Sequence, residues 1–103
     1  EYANQDLTRE QVDATPGPVV LDFGTGWCGH CQALRPTLAA ALAGFPGVAH
    51  VKVEDGPGRP LGRSFRVKLW PTLVFLKDGK VVEQVARPGP DEVRRGLAAV
   101  AGG

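Results

Sequence analysis

Trp27-Cys28-Gly29-His30-Cys31 decides how this chain folds. The pentapeptide holds the only two cysteines, and it lies between two runs of opposite character. Before it, Val19-Val20-Leu21-Asp22-Phe23 is a short apolar stretch that reads as a buried strand. After it, Gln32 to Ala43 carries Leu34, Leu38 and Leu42 four residues apart, the stripe of a helix packed on one side. A Cys-x-x-Cys at a strand-to-helix junction puts its first sulfur at a helix N-terminus. The partial positive charge there favours a thiolate. The second sulfur lies one turn further in, within disulfide reach, which suits reversible thiol–disulfide exchange.

Three other uses of the cysteines are weaker. A structural zinc needs four ligands, and only Cys28, Cys31, His30 and His50 are available. His30 lies between the cysteines and is badly placed to share their metal. A c-type haem needs histidine directly after the second cysteine, where Gln32 stands. A purely structural disulfide would close a very short loop, worth roughly 2 kcal/mol. That is weak stapling for a chain able to build its own core. Redox chemistry is therefore favoured, with no metal and no cofactor beyond a Cys28–Cys31 disulfide.

At 103 residues the chain is expected to be one domain with a real core. Its formal charge of +1 gives no reason to expect nucleic acid or an anionic membrane as the main partner. No apolar run is long enough to span a bilayer, and no signal peptide is visible. The chain begins at Glu1 and contains no methionine, so a trimmed or processed product is expected. The cytoplasm is favoured for the chain as it stands, and the periplasm or secretion if a signal was removed. The expected partners are protein thiols and disulfides together with an unidentified redox partner, and a monomer is expected.

The rest of the chain supplies a frame. Thr8-Arg9-Glu10-Gln11 predicts a capping box opening a short helix, Arg9 to Ala14, which Pro16-Gly17-Pro18 stops. Pro36 should kink the long helix, and Gly44 to Gly47 should end it. Val48 to Val53 reads as a strand, joined to the first through a right-handed parallel crossover. Glu54 to Gly62 is mostly loop, with a helical turn over Leu61 to Phe65. Leu73 to Leu76 and Val81 to Val85, joined through Asp78-Gly79, predict an antiparallel hairpin. Pro90, with Val93, Leu97 and Val100 following, predicts a C-terminal helix. The order is α-β-α-β-α-β-β-α.

These motifs resemble the thioredoxin superfamily. The resemblance rests on Val20-Leu21-Asp22-Phe23, the Trp27–Cys31 motif with Pro36 after it, Trp70-Pro71-Thr72-Leu73, and Lys77-Asp78-Gly79-Lys80. It covers Val19 to about Leu97. It implies an α/β thioredoxin fold, a mixed four- to five-stranded sheet flanked by helices, as a single domain over 1–103. Cys-Gly-His-Cys resembles the active site of protein disulfide isomerase domains, whereas ordinary thioredoxins carry Cys-Gly-Pro-Cys.

The resemblance also implies roles. Cys28 would be the exposed attacking thiolate and Cys31 the buried thiol that resolves the mixed disulfide. Trp27 would shield the pair from water. Pro71 would be a cis proline facing the cysteines, and Trp27, Gly29 and Pro71 would meet the substrate, with Trp70 joining them because it directly precedes Pro71. His30 as a cation would stabilise the reduced form and make the pair a better oxidant. Asp22 interrupts an apolar strand, where burial penalises its charge. The family places it beneath Cys31 as a proton acceptor.

Four departures from the family pattern stand out. His50 falls where many relatives carry a lysine near the buried aspartate, so a contact with Asp22 is conceivable, although a lone strand histidine is more often simply packed or exposed. Gly24 stands where thioredoxins usually have an aromatic residue, which leaves space near Trp70. Trp70 replaces a smaller residue. Gly56 to Pro60, with Arg63, Arg66 and Lys68, reads equally as a basic rim or as a solvated loop. The rival functions are a redox-inactive peptide-binding module and a metal-binding Cys-x-x-Cys protein.

Overall fold

The central strand has apolar side chains pointing both ways, and the fold buries both of its faces. The computed structural model describes residues 2, 3 and 6–102. In chain order its elements are α1 (Arg9–Asp13), β1 (Pro18–Gly24), α2 (Gly29–Leu42), β2 (Ala49–Glu54), α3 (Pro60–Ser64), β3 (Thr72–Lys77), β4 (Lys80–Ala86) and α4 (Pro90–Ala101). The sheet order is β2-β1-β3-β4. β1 pairs parallel to β2, from Val19 opposite Ala49 to Gly24 opposite Glu54. β3 runs antiparallel to both β1 and β4.

Alternation along β1 sorts the core into two layers. Val19, Leu21 and Phe23 pack with Val12, Leu61 and Phe65 on one face. Val20 packs with Leu34, Leu38, Phe75, Val93 and Leu97 on the other. Each such side chain contributes roughly 1.5–3 kcal/mol when fully buried. Asp22 is two residues after Val20, so strand geometry aims it at the layer beneath α2. Its burial follows from that position, and it is 3% exposed.

The local signals act as their chemistry requires. Thr8 Oγ1 accepts from the Gln11 N–H at 3.1 Å, and Gln11 Oε1 accepts from the Thr8 N–H at 3.0 Å, closing the box that starts α1. Pro36 lies inside α2 without ending it. Asp78 and Gly79 take φ of 51° and 79°, the paired left-handed conformations of a two-residue hairpin turn.

The sheet has four strands among the described residues, not five. Beyond β2 there is only a single parallel bridge, Ala3 to Val53, with the Ala3 carbonyl accepting from the Glu54 N–H at 3.1 Å. Two backbone contacts fall short of a strand, but they bring Tyr2 to the end of β1 where the cysteines lie.

Candidate active site

β1 ends at Gly24, and Thr25 to Trp27 lead into α2 with Cys28 as its N-cap. The cysteine pair is in the dithiol state. The Cys28 sulfur accepts from the Cys31 N–H at 3.2 Å, so it takes the place an N-cap oxygen would occupy. The free N–H groups and the helix dipole act on this sulfur directly.

The two thiols differ in access. Cys31 is 1% exposed and Cys28 9%. The expectation of an exposed Cys28 is thus corrected: it is the more open of the two, but it lies low in a groove. The Trp70 carbonyl lies 4.0 Å from its sulfur on one side. For Cys31, burial pushes the thiol well above its ordinary pKa, and the Cys28 thiol adds to this. The Thr25 backbone and the Tyr2 hydroxyl pull it partly back.

Trp27 also differs from expectation. It is 76% exposed, so it does not shield the pair from water. Its ring instead meets Trp70 edge-on, with centroids 5.6 Å apart at 76°. The reason is the partner: Trp70 is half-buried and fixed by its Nε1–H, which donates to Asp55 Oδ2 at 2.9 Å. Together with Gly29, His30 and Leu69, the two tryptophans line the groove beside Cys28. Leu69 is also exposed, so this groove carries an apolar surface that none of the described residues covers.

The Trp70–Pro71 peptide bond is cis, and Pro71 is buried. The Trp70 carbonyl that faces Cys28 accepts from Arg87 Nε at 2.9 Å. Arg87 holds a left-handed backbone, φ 49°, and its N–H donates to the Pro71 carbonyl at 2.7 Å. Arg87 and Asp55 thus pin the two ends of Trp70. Neither was a sequence-level candidate, because ordinary surface charges give no signal of what they hold.

Among the described residues, two donate hydrogen bonds to Asp22 or stand within reach of it. Tyr2 donates its hydroxyl to Oδ1 at 3.2 Å, and His50 Nε2 lies 3.1 Å from Oδ2, donating when that nitrogen carries the proton. The conceivable Asp22–His50 contact is therefore made. A cavity of about 420 Å³ reaches Asp22 and Cys31 from the far side of α2, passing Arg35, His50 and Lys52.

Gly24 leaves no space for Trp70. A side chain there would stand 2.5 Å from the Cys31 sulfur and 3.1 Å from the Tyr2 hydroxyl. Tyr2 occupies the room instead. The proposed basic rim is mixed: Arg59 pairs with Glu54 at 3.2 Å, and Asp55 lies among Arg59, Arg63 and Lys68.

Comparison with known proteins gives a consistent result. The family model described as thioredoxin matches residues 2–99. A thioredoxin H-type of Ricinus communis is 33% identical over 98 residues, covering 95% of this chain and 81% of the relative. The reduced form of thioredoxin 2 from Pseudomonas aeruginosa PAO1 superposes with a TM-score of 0.87 at 50% identity, covering 98% of this chain and 94% of that one. The short form of spinach chloroplast thioredoxin f superposes with a TM-score of 0.80 at 28% identity, covering 96% and 90%.

Proposed function

This chain belongs to the thioredoxin family of thiol–disulfide oxidoreductases, and from that premise we propose that it is a dithiol reductant of protein disulfides. Cys28 attacks a substrate disulfide and forms a mixed disulfide. Cys31 then attacks the Cys28 sulfur, closes the Cys28–Cys31 disulfide and releases the substrate thiol. The observation that carries this reading is the unequal pair: one sulfur at the helix N-cap in an open groove, the other sealed beneath it. Asp22 accepts the Cys31 proton. Trp27, Gly29 and Trp70 form the surface on which the substrate chain lies, and the cis Pro71 beneath sets the backbone of Trp70 beside Cys28. The chain works as one monomeric domain and needs no cofactor beyond its own disulfide. An external redox partner restores the dithiol.

Reduction is preferred to isomerisation because the matching relatives are thioredoxins. Catalysis of insulin reduction by excess dithiothreitol tests it. Insulin should precipitate faster with the protein, and alkylating both cysteines beforehand should remove the effect. The same rate with and without the protein would overturn the reading.

Cys-Gly-His-Cys pulls toward a more oxidising pair. His30 is exposed in the first turn of α2 and shares the groove with Cys28. Its cationic form favours the Cys28 thiolate and hence the reduced state. His30→Pro should lower the reduction potential by tens of millivolts, where 30 mV corresponds to about 1.4 kcal/mol. Equilibration against glutathione measures it, and an unchanged potential would show that His30 does not tune the pair. A parent potential near −270 mV fits a reductant, and one near −180 mV an isomerase.

A further inference from the structure

Tyr2 lies far from the cysteines in sequence, yet its hydroxyl stands beside both Asp22 and Cys31. The Tyr2 oxygen stands 3.2 Å from Asp22 Oδ1 and also interacts with the Cys31 thiol. Among the described residues no hydrogen bond joins Asp22 directly to Cys31. The same hydroxyl and the Cys31 sulfur converge on the space over Gly24. The ring is held there by the Ala3 bridge to β2 and by Lys52, whose ammonium is 5.8 Å from the ring centre.

We propose that Tyr2 relays the proton from Cys31 to Asp22 in the resolving step, a role that rests on the dithiol mechanism above. Before the step, the tyrosine donates to the Asp22 carboxylate, and its lone pair accepts the Cys31 S–H. As the mixed disulfide resolves, the Cys31 proton moves to the Tyr2 oxygen and the Tyr2 proton moves to Asp22. The Cys31 electron pair forms the bond to Cys28, and the bond between Cys28 and the substrate breaks. The substrate sulfur leaves as a thiolate, reduced by the two electrons the dithiol gives up. Tyr2 ends neutral, now donating to Cys31. Desolvation, followed by the charges of Asp22 and Cys31, holds the phenol far above its ordinary pKa, so it remains a proton carrier and never a phenolate. The cavity past Arg35, His50 and Lys52 returns the proton from Asp22 to solvent. Among the described residues, these three, with Asp22, Cys28 and Cys31, are the ionisable groups around the relay.

Tyr2→Phe keeps the ring and removes only the hydroxyl. Two measurements read it, each alongside a melting curve that should match the parent's. In a Cys28→Ser background, iodoacetamide alkylation of Cys31 followed against pH needs no substrate. Once Cys31 ionises, the Tyr2 hydroxyl turns to donate to its sulfur and so lowers its pKa; adding Tyr2→Phe should therefore move the rise to higher pH, making alkylation roughly tenfold slower at a fixed pH on the rising limb, the equivalent of about one pH unit. In the intact pair, release from a preformed mixed disulfide should slow about tenfold while attack by Cys28 keeps its rate. An unchanged alkylation profile would overturn the hold of Tyr2 on Cys31. Unchanged release, or equal slowing of attack and release, would overturn the relay. If the parent chain reduces no disulfide, the proposed function fails, and the alkylation arm still reads the Tyr2–Cys31 interaction.

Discussion

Cys28→Ser is expected to reduce disulfide turnover to the uncatalysed background, and Cys31→Ser to stop it halfway. The two failures differ because the two sulfurs have different surroundings. Cys28 caps α2 and faces the groove between Trp27 and Trp70, so it alone can meet a disulfide on another protein. A serine hydroxyl in its place is not a nucleophile toward sulfur at neutral pH. Cys31 is 1% exposed, and no external disulfide can approach it in line. Its removal leaves the first attack intact and takes away the group that breaks the mixed disulfide. Cys31→Ser should therefore accumulate a covalent adduct with its substrate, visible as a mass increase that dithiothreitol reverses. Cys28→Ser should form none. Adducts through Cys31 in the Cys28→Ser protein would reverse the assignment of the pair.

That asymmetry was legible in the sequence, since a Cys-x-x-Cys between a strand and a helix allows only one sulfur at the helix cap. The sheet was legible for a related reason. Asp78-Gly79 forces a hairpin, and the run Val19 to Phe23 is too apolar for anything but a central strand. Asp22 announced itself as the only charge in that run. What could not be read was mostly a matter of direction. An exposed Trp27 and a buried one look alike in sequence. Only the anchoring of Trp70 by Asp55, distant in sequence, decides that the two rings meet edge-on beside the groove. Gly24 is the clearest case. Its missing side chain signals a space, and nearness to the motif points that space at Trp70. Tyr2 fills it, carried there by a bridge between Ala3 and Val53 that no local pattern encodes.

The groove and the buried cluster divide the work between them. On the groove side lie the exposed aromatic and aliphatic surface and His30, the features the proposed function assigns to partner binding and redox tuning. On the other side of the pair, Tyr2, Asp22 and His50 form a continuous polar network inside an otherwise apolar layer. Such a network is costly to bury and is tolerated only when its members satisfy one another. Both Asp22 oxygens have partners, which meets that condition.

Asp22→Asn is expected to slow the resolving step by about a hundredfold, the lower end of what general acid–base catalysis contributes. Cys31 can attack only as a thiolate, and burial pushes its thiol well above the ordinary range. A nearby acceptor is thus worth most to this sulfur. Asparagine has nearly the shape of aspartate but cannot take the proton, so attack by Cys28 should proceed while release lags. The effect should be largest near neutral pH and shrink as hydroxide deprotonates Cys31 directly. From the sequence alone, replacing a lone buried carboxylate would also be expected to stabilise the fold. The structure removes most of that gain: Tyr2 and His50 each bond to the carboxylate, and a hydrogen bond to a charged group contributes about 1.5–3 kcal/mol. The losses and the saved desolvation oppose each other, so stability should change by no more than about 1 kcal/mol. Stopped-flow single turnovers between pH 6 and 9, with urea unfolding alongside, check both halves. Equal rates of release in parent and variant across that range would leave Asp22 with a purely structural place in the network.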